Sequence, residues 1–366
     1  MPKPLRLEPA LDILNSPASA WIKTAEERAQ MTIACQDGAD IPRVKDAGST
    51  KVVDGQKVQL MHNGLKVLQG GYQGDWQVEL VKQLHGIHEP QEEKVFYEVL
   101  KRIRPKANML ELGSWWSYYS MWFLHDIKHA TAYCCEPDPE NLALGHANAR
   151  LNDFDIGTQI IFHQYAAGSQ NNKKISFPTL KGETVEVPIR TIDSIVEQEA
   201  IDKLDILHMD IQGVELDALR GAVKSIDAGK VRFLFVSTHH YSISGDPITH
   251  DKCVDFIKAH GGHIIAKHSV LESCSGDGLV VASFDAADKN FTVPVSLQPV
   301  DDSLFRNAEQ DLAIVWKSHD QLYQRVLEQE AEIRRLHELA ASKQPLTTRA
   351  KKSLKRRAGR ITKKIK

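Results

Sequence analysis

Three carboxylates of the 366-residue sequence lie at or near the ends of short apolar runs. Glu111 lies in a run that stops at Gly113, Glu136 follows the run 130–135, and Asp210 follows the run 204–209. Ligands of open α/β sheets bind at the carboxyl ends of the strands, so these acids predict a ligand site at one sheet edge. Glu136, after the second strand, suits the two hydroxyls of a ribose.

The elements that must position these acids are two strands and the helices after them. The pattern predicts a strand ending at Leu112, a glycine turn and a helix containing Tyr119 and Phe123. Asp138 can cap the helix after the second strand, with Pro139 at its first position, where a missing N–H costs nothing. Two strands around one crossover helix form half of a nucleotide-type site.

The turn after the first strand carries a single glycine. Gly113 stands alone, and Ser117 occupies the position of a second glycine, so a loop that cradles a pyrophosphate is poorly supported. An adenosyl amino acid has no phosphate and tolerates such a turn. The loop therefore favours S-adenosylmethionine over NAD.

Three segments together resemble the successive motifs of FkbM-type methyltransferases. They are Glu111-Leu-Gly113-Ser-Trp-Trp-Ser117, Glu136-Pro-Asp-Pro-Glu-Asn and Asp210-Ile-Gln-Gly213-Val-Glu215-Leu, within a similarity that covers roughly residues 89–284. The chain departs from the family pattern at Trp115, at Ser117, which is usually glycine, and at Gln212, which is usually glutamate. The resemblance implies an α/β, Rossmann-like class I methyltransferase fold: a seven-stranded, mostly parallel sheet with a closing antiparallel hairpin.

The resemblance also implies which residues hold the cofactor, S-adenosylmethionine. The candidate cofactor-binding residues are Glu111, Gly113, Ser117, Glu136, Asp138 and Ala166. Gly113 and its neighbouring backbone would meet the methionine moiety, and Glu111 would accept from its amino group or from a bridging water. The loop at Ala166 would pass the adenine.

Four aromatic side chains are candidates for substrate binding. They are Tyr72, Trp76, His88 and Trp115. The glycine-rich segment 69–76 could line a cleft, or it could be a turn whose two aromatics pack on the core. Trp115 lies at the loop tip, where an aromatic face suits both a sugar and a sulfonium cation.

The candidates for the general base are His239, His240 and Asp210. A neutral histidine suits this role because its ordinary pKa, about 6.5, lies near neutral pH. Adjacent residues of a strand point to opposite faces, so at most one of the two histidines is expected to face the pocket. One carboxylate and one imidazole are too few ligands for a metal ion, and we predict none.

The sequence predicts four segments. They are an N-terminal accessory region (1–88), a methyltransferase domain (89–300), a long helix (301–344) and a basic tail (345–366). The helix carries a heptad seam of Leu312, Val315, His319, Leu322, Val326, Gln329, Ile333, Leu336 and Ala340. This seam could form a homodimeric coiled coil through 312–340, or a single helix laid on its own domain. Residues 349–366 carry ten Lys or Arg and no acid, which would attract an anionic membrane surface; without interleaved aromatics, nucleic acid is not expected.

The composition of the sequence indicates the cellular compartment of the protein. Five cysteines without metal-type spacing argue against a disulfide framework and favour a reducing cytosol. Residues 1–20 have no signal-peptide core, and no apolar run approaches the ~18 residues of a membrane span. We expect a cytoplasmic protein, with the tail favouring a peripheral position at the inner membrane face.

We therefore expect an S-adenosylmethionine-dependent O-methyltransferase that acts on a hydroxyl of a saccharide or secondary metabolite, with a role in polysaccharide biosynthesis. The basic tail favours an anionic or lipid-linked glycan as acceptor. Two alternatives remain open: a NAD-dependent oxidoreductase, and a non-catalytic adaptor with a degenerate cofactor fold.

Overall fold

The computed structural model describes residues 23–178, 184–305, 308–342 and 352. These residues fall into two compact units that divide after residue 307. The first contains the sheet and the candidate site, and the second is helical. The four predicted segments do not coincide with these units, and their boundaries stay a prediction.

A seven-stranded sheet forms the centre of the first unit, in the order β12-β13-β11-β10-β4-β5-β6. The strands are β4 (Asn108–Leu112), β5 (Thr131–Cys135), β6 (Ile160–His163), β10 (Leu204–Met209), β11 (Val231–Thr238), β12 (His263–His268) and β13 (Gly278–Ser283). All neighbours pair in parallel except β13, which is antiparallel to both β11 and β12. The predicted parallel sheet with a closing antiparallel hairpin is confirmed.

Helices cover both faces of this sheet. They are α3 (Pro90–Leu100), α4 (Tyr118–Asp126), α5 (Pro139–Leu151), α6 (Ile192–Gln198), α7 (Glu215–Arg220), α8 (Val223–Asp227), α9 (Tyr241–Ser244) and α10 (Thr249–Ala259). Successive strand residues belong to different apolar clusters: Met109 packs on one face with Phe96 and Trp122, and Leu110 on the other. The sheet is buried on both sides, as its continuous apolar strands require.

The predicted cap of α5 is confirmed. Asp138 Oδ1 accepts hydrogen bonds from the backbone N–H groups of Glu140 (2.7 Å) and Asn141 (3.4 Å), and Pro139 is the first helical residue. The cap fixes the start of the helix beside the end of β5, and so fixes the position of Glu136.

The N-terminal region adds α1 (Ala25–Ala34), α2 (Asp75–Gln83) and a three-stranded antiparallel sheet of β1 (Thr50–Val53), β2 (Gln56–Leu60) and β3 (Lys66–Leu68). The strands turn at Asp54-Gly55 and near Asn63-Gly64, dipeptides that are typical of hairpin turns. Met61 and Ile87 are buried in the same apolar cluster as Phe96. The region therefore shares its core with the central sheet.

After β6 the chain forms a second small sheet, β7-β9-β8, from β7 (Ala166–Ala167), β8 (Lys174–Pro178) and β9 (Thr184–Arg190). The alternating pattern of residues 175–187 predicts a hairpin, and strands β8 and β9 do pair antiparallel; the turn expected at Lys181-Gly182 lies outside the described residues.

The second unit contains the predicted long helix, α11 (Ala308–Ser342). Several of its large apolar side chains are exposed, including Val326, Ile333 and Leu336. Apart from residue 352, the basic tail lies outside the described residues, and membrane association stays a prediction. None of the described helices is both long and apolar enough to cross a membrane.

Candidate active site

A cavity of about 580 Å³ lies at the carboxyl ends of β4, β5 and β10, a size typical of small-molecule sites. Nine of the thirteen predicted site residues line it: Tyr72, His88, Glu111, Gly113, Trp115, Glu136, Asp138, Ala166 and Asp210. Ser117, Trp76, His239 and His240 do not line it.

Glu136 is buried at the end of β5 and holds the loop after β4. Its Oε2 accepts from the backbone N–H of Trp115 (2.9 Å), and its Oε1 accepts from that of Asp138 (2.9 Å). Burial raises the pKa of Glu136 to about 7. A carboxylate offers about four acceptor positions, so these two backbone bonds do not exhaust its capacity to accept from a ligand.

Gly113 brings the first loop against the loop after β10. Its φ is +74°, and a Cβ on this residue would lie 1.8 Å from the backbone oxygen of Asp210. No other amino acid fits such a close approach. The glycine therefore sets the distance between Glu111 and Asp210.

Ser117 has a packing role. It takes a left-handed conformation (φ 58°), which explains why glycine is usual at this position, and its side chain is fully buried. A Cβ on Gly145 of α5 would lie 2.5 Å from Ser117 Oγ. Ser117 thus packs the loop onto α5 and contributes no surface to the cavity.

Glu111 lies on the cavity floor. Its Oε2 accepts from the backbone N–H of Ser120 at the start of α4 (3.1 Å). Burial raises the pKa of Glu111 to about 7, against the opposing effect of His208. Asp138, Asn141, Tyr165 and Ala166 also line the cavity.

The other end of the cavity is aromatic and acidic. Tyr72 stacks on Trp116 (ring centroids 4.4 Å apart, planes at 6°) and meets Trp115 edge-on at 4.9 Å. Tyr72 therefore lines the cleft. Trp76 is 44% exposed at the start of α2 and lies outside the cavity.

His88 is a buried cation in this wall. Its Nδ1 lies 2.5 Å from Glu93 Oε1, and its Nε2 lies 3.3 Å from Glu89 Oε2. Burial alone would lower the pKa of His88, but the two carboxylates outweigh it and raise the pKa to about 10. Tyr119 Oη also donates to Glu89 Oε2 (3.0 Å).

A second buried pair was not among the predicted residues. His208 Nε2 lies 2.7 Å from Glu92 Oε1, and Ser237 Oγ donates to Glu92 Oε2 (3.0 Å); all three residues line the cavity. The acids at the start of α3 look in sequence like partners of the helix dipole. Glu92 instead faces inward and contacts His208. The two residues are 116 positions apart in the sequence, so no local pattern predicts the contact.

The two adjacent histidines follow Thr238, the last residue of β11, and their side chains diverge. His239 is buried beside the cavity with its Nε2 3.1 Å from Asp210 Oδ1, so it reaches the site through Asp210. His240 turns away: its Nδ1 accepts from the backbone N–H of Ser242, and its ring stacks on Phe305 (centroids 4.6 Å apart). The structure does not bring His240 to the cavity.

Fold and site together define a class of protein. The antiparallel β13 distinguishes the sheet from the usual dinucleotide-binding fold, and an acid stands at the end of the second strand. This is the architecture of a class I methyltransferase.

Residues 95–264 match the family model described as methyltransferase FkbM domain. The predicted resemblance to FkbM-type methyltransferases is confirmed over these residues. No curated protein matches the sequence.

Several solved structures are similar at low identity. One is TrmK of M. capricolum in complex with its natural cofactor product S-adenosyl-homocysteine (10% identity, 54% of this chain and 74% of that chain, TM-score 0.34). Another is an S-adenosylmethionine-dependent methyltransferase from Aquifex aeolicus (9%, 52% and 89%, TM-score 0.33). A third is a putative O-methyltransferase from Klebsiella pneumoniae (12%, 54% and 79%, TM-score 0.33). At such identities and TM-scores they say nothing about the substrate of this chain.

Proposed function

We propose that this chain transfers a methyl group from S-adenosylmethionine to a hydroxyl of a neutral small molecule, a saccharide or a secondary metabolite. The observation that carries the proposal is Glu136, a buried carboxylate after β5 that lines the cavity and keeps acceptor capacity beyond its two backbone hydrogen bonds. The two hydroxyls of a ribose would donate to this carboxylate.

The residues of the cavity fit this cofactor. Glu111 and Gly113 line the cavity where the methionine moiety would lie, and Ala166 lines it where adenine would lie. Trp115 Nε1 is buried and has no hydrogen-bond partner within the described residues, so it is a donor available to a ligand. When bound, S-adenosylmethionine supplies an electrophilic methyl group on a sulfonium.

The charge of the cavity supports a neutral acceptor. The acceptor would occupy the end lined by Tyr72, Trp115 and Asp210, which we call the acceptor half. Seven carboxylates line the cavity, and within the described chain no lysine or arginine does: the acids are Glu89, Glu92, Glu111, Glu136, Asp138, Asp210 and Asp217. An anionic glycan, which the basic tail favours, would meet this wall with like charge. Hydroxyl groups would instead donate to the carboxylates, and the ring of Tyr72 or Trp115 would stack on a sugar face.

The chain contributes orientation and the exclusion of water, which are the main requirements of an in-line displacement. Asp210 both lines the cavity and accepts from His239. Burial would raise the pKa of Asp210, but the hydrogen bond from His239 outweighs it and the net effect lowers the pKa. The ionised carboxylate can accept the hydrogen bond of the acceptor hydroxyl and fix its direction.

The test is a calorimetric titration of the full chain with S-adenosylhomocysteine, with NADH as the competing ligand and Glu136→Ala as the variant. We expect binding of S-adenosylhomocysteine that falls at least tenfold in the variant, and no binding of NADH. Binding of NADH alone would establish the oxidoreductase alternative. Binding of neither ligand would favour the adaptor.

A further inference from the structure

Three side chains with metal-binding atoms converge beside the acceptor half of the cavity. Asp210 follows β10, His239 follows β11, and Asp277 precedes β13; their ligand atoms all lie within 4.8 Å of one another. His239 Nε2 is 3.1 Å from Asp210 Oδ1 and 3.5 Å from Asp277 Oδ1. The sequence showed one acid and one imidazole here, and the fold supplies the third group.

The imidazole is held in the orientation of a ligand. His239 Nδ1 lies 2.8 Å from Glu215 Oε1, which also accepts from the backbone N–H of Gly213 (2.9 Å). Glu215 is fully buried, so Nδ1 is committed to it and Nε2 is directed between the two aspartates. A carboxylate behind the second ring nitrogen is the usual support of a metal-bound histidine.

Glu215 also adds buried negative charge to the cluster. Its Oε2 is inaccessible to solvent and has no hydrogen-bond partner in the described part of the chain. Among the described residues, no lysine or arginine forms an ion pair with Asp210, Asp277 or Glu215. Three carboxylates thus share one imidazole, which leaves an excess of negative charge for a cation to neutralise.

The spacing suits a six-coordinate ion. Bonds of about 2.1 Å to neighbouring octahedral positions place two ligand atoms about 3 Å apart, close to the two distances from His239 Nε2. Gln212, whose side-chain nitrogen lies 2.8 Å from His239 Nε2 and 3.1 Å from Asp210 Oδ1, can offer its amide oxygen after rotation of the amide. Two carboxylates with one imidazole suit Mn²⁺ better than Ca²⁺, which prefers oxygen alone.

We propose that Asp210, His239 and Asp277 bind one divalent cation, with Mn²⁺ as the best match, at the border of the acceptor half of the cavity. Asp210 and Gln212 both line the cavity, so the proposed site borders it. The proposal that the ion binds is argued from the geometry of the three side chains and does not depend on the proposed function. Its consequence rests on the proposed function: the ion takes the acceptor hydroxyl oxygen as a ligand, orients it and makes its proton easier to lose.

The test is a Mn²⁺ titration of the full, EDTA-treated chain, followed by the electron paramagnetic resonance signal of free Mn²⁺. We expect one ion per chain, at least tenfold weaker binding in Asp277→Asn, and about tenfold weaker binding in Glu215→Gln, which removes the buried charge behind His239 but no metal ligand. Gln212→Glu adds a carboxylate and should bind more tightly. Asp251→Asn, a change of an exposed acid on α10, is the matched control and should bind as the unaltered chain does.

The inference is overturned if the unaltered chain binds no Mn²⁺ at millimolar concentration, or if Asp277→Asn with an unchanged cooperative thermal transition binds it equally well. Titration with S-adenosylhomocysteine separates this outcome from the proposed function. Mn²⁺ binding without S-adenosylhomocysteine binding would uphold the metal site and reject the methyl transfer. S-adenosylhomocysteine binding without Mn²⁺ binding would support the methyl transfer and reject the metal site.

Discussion

Gly113 and Asp210 belong to loops about a hundred residues apart, yet a Cβ on Gly113 would lie 1.8 Å from the backbone oxygen of Asp210. The contact joins the cofactor loop after β4 to the acceptor loop after β10. The pairing of β4 with β10 brings the two loops together, and a glycine at position 113 permits their close approach. Positioning of this kind supplies most of the rate enhancement in a displacement that needs no covalent intermediate.

Gly113→Ala should disrupt this contact. The new methyl group collides with a backbone atom, and alanine at a φ of +74° is strained in addition. We expect a lower melting temperature and at least tenfold weaker binding of S-adenosylhomocysteine. Gly229→Ala is the matched control, because Gly229 has a similar φ (+69°) but no atom within 4 Å of its Cβ position. Equal effects of the two substitutions would show that backbone strain, and not the contact with Asp210, accounts for the loss.

Binding of S-adenosylhomocysteine should depend on pH through Glu136. Burial raises the pKa of this carboxyl to about 7, so it is mostly protonated at pH 6 and mostly ionised at pH 8. Only the carboxylate can accept from both ribose hydroxyls, and affinity should rise about tenfold between these two pH values. Calorimetry at both would measure it. Glu136→Gln should bind more weakly with a smaller pH dependence, the remainder coming from Glu111, whose pKa is also about 7. An unaltered pH profile in that variant would remove Glu136 from the cofactor site.

The adjacent histidines should separate in their effects. His239→Ala removes the partner of Asp210, and we expect turnover of a methyl acceptor to fall about a hundredfold. His240→Ala removes a cap and a ring contact with Phe305, so we expect a lower melting temperature with turnover within about twofold. Steady-state kinetics and thermal unfolding of both variants measure the difference. A large loss of turnover in properly folded His240→Ala would show that this histidine reaches the acceptor after all.

We propose that the heptad seam of α11 pairs with a second copy of the chain. Val326 and Ile333 lie on the seam and are 41% and 53% exposed, so a partner helix would remove both from water. Val326→Glu with Ile333→Glu should shift the mass measured by light scattering from dimer to monomer. Tyr323→Glu, equally exposed but off the seam, should not. A monomeric unaltered chain would reject the pairing.

The local sequence pattern was sufficient to predict the parts of the site that lie within one strand and the loop after it. Glu136, Asp138 and Gly113 occupy the predicted positions because strand ends, caps and tight turns have short-range signatures. His239 and His240 lie beyond the last residue of β11, so strand alternation does not account for their divergence. Ser117 could not be assigned in this way, since its packing against Gly145 depends on how α5 meets the loop.

Two contacts of the site depend on the tertiary fold and could not be predicted from the sequence. Asp277 comes from the loop before the antiparallel strand, and its closeness to Asp210 depends on the sheet order. Glu92 has the sequence signature of a helix-dipole partner, and its contact with His208 depends on how α3 packs on the sheet. Both are buried or partly buried acids whose partners lie far away in the chain.

The most direct test of the central claim is a crystal structure of the chain with S-adenosylhomocysteine. We expect the ribose hydroxyls to lie within hydrogen-bond distance of the Glu136 carboxylate and the adenine to lie beside Ala166. The sulfur should be directed toward the wall formed by Tyr72 and Asp210. A ligand bound elsewhere, or a ribose that contacts a different acid, would contradict the assignment of this cavity as a methyltransferase site.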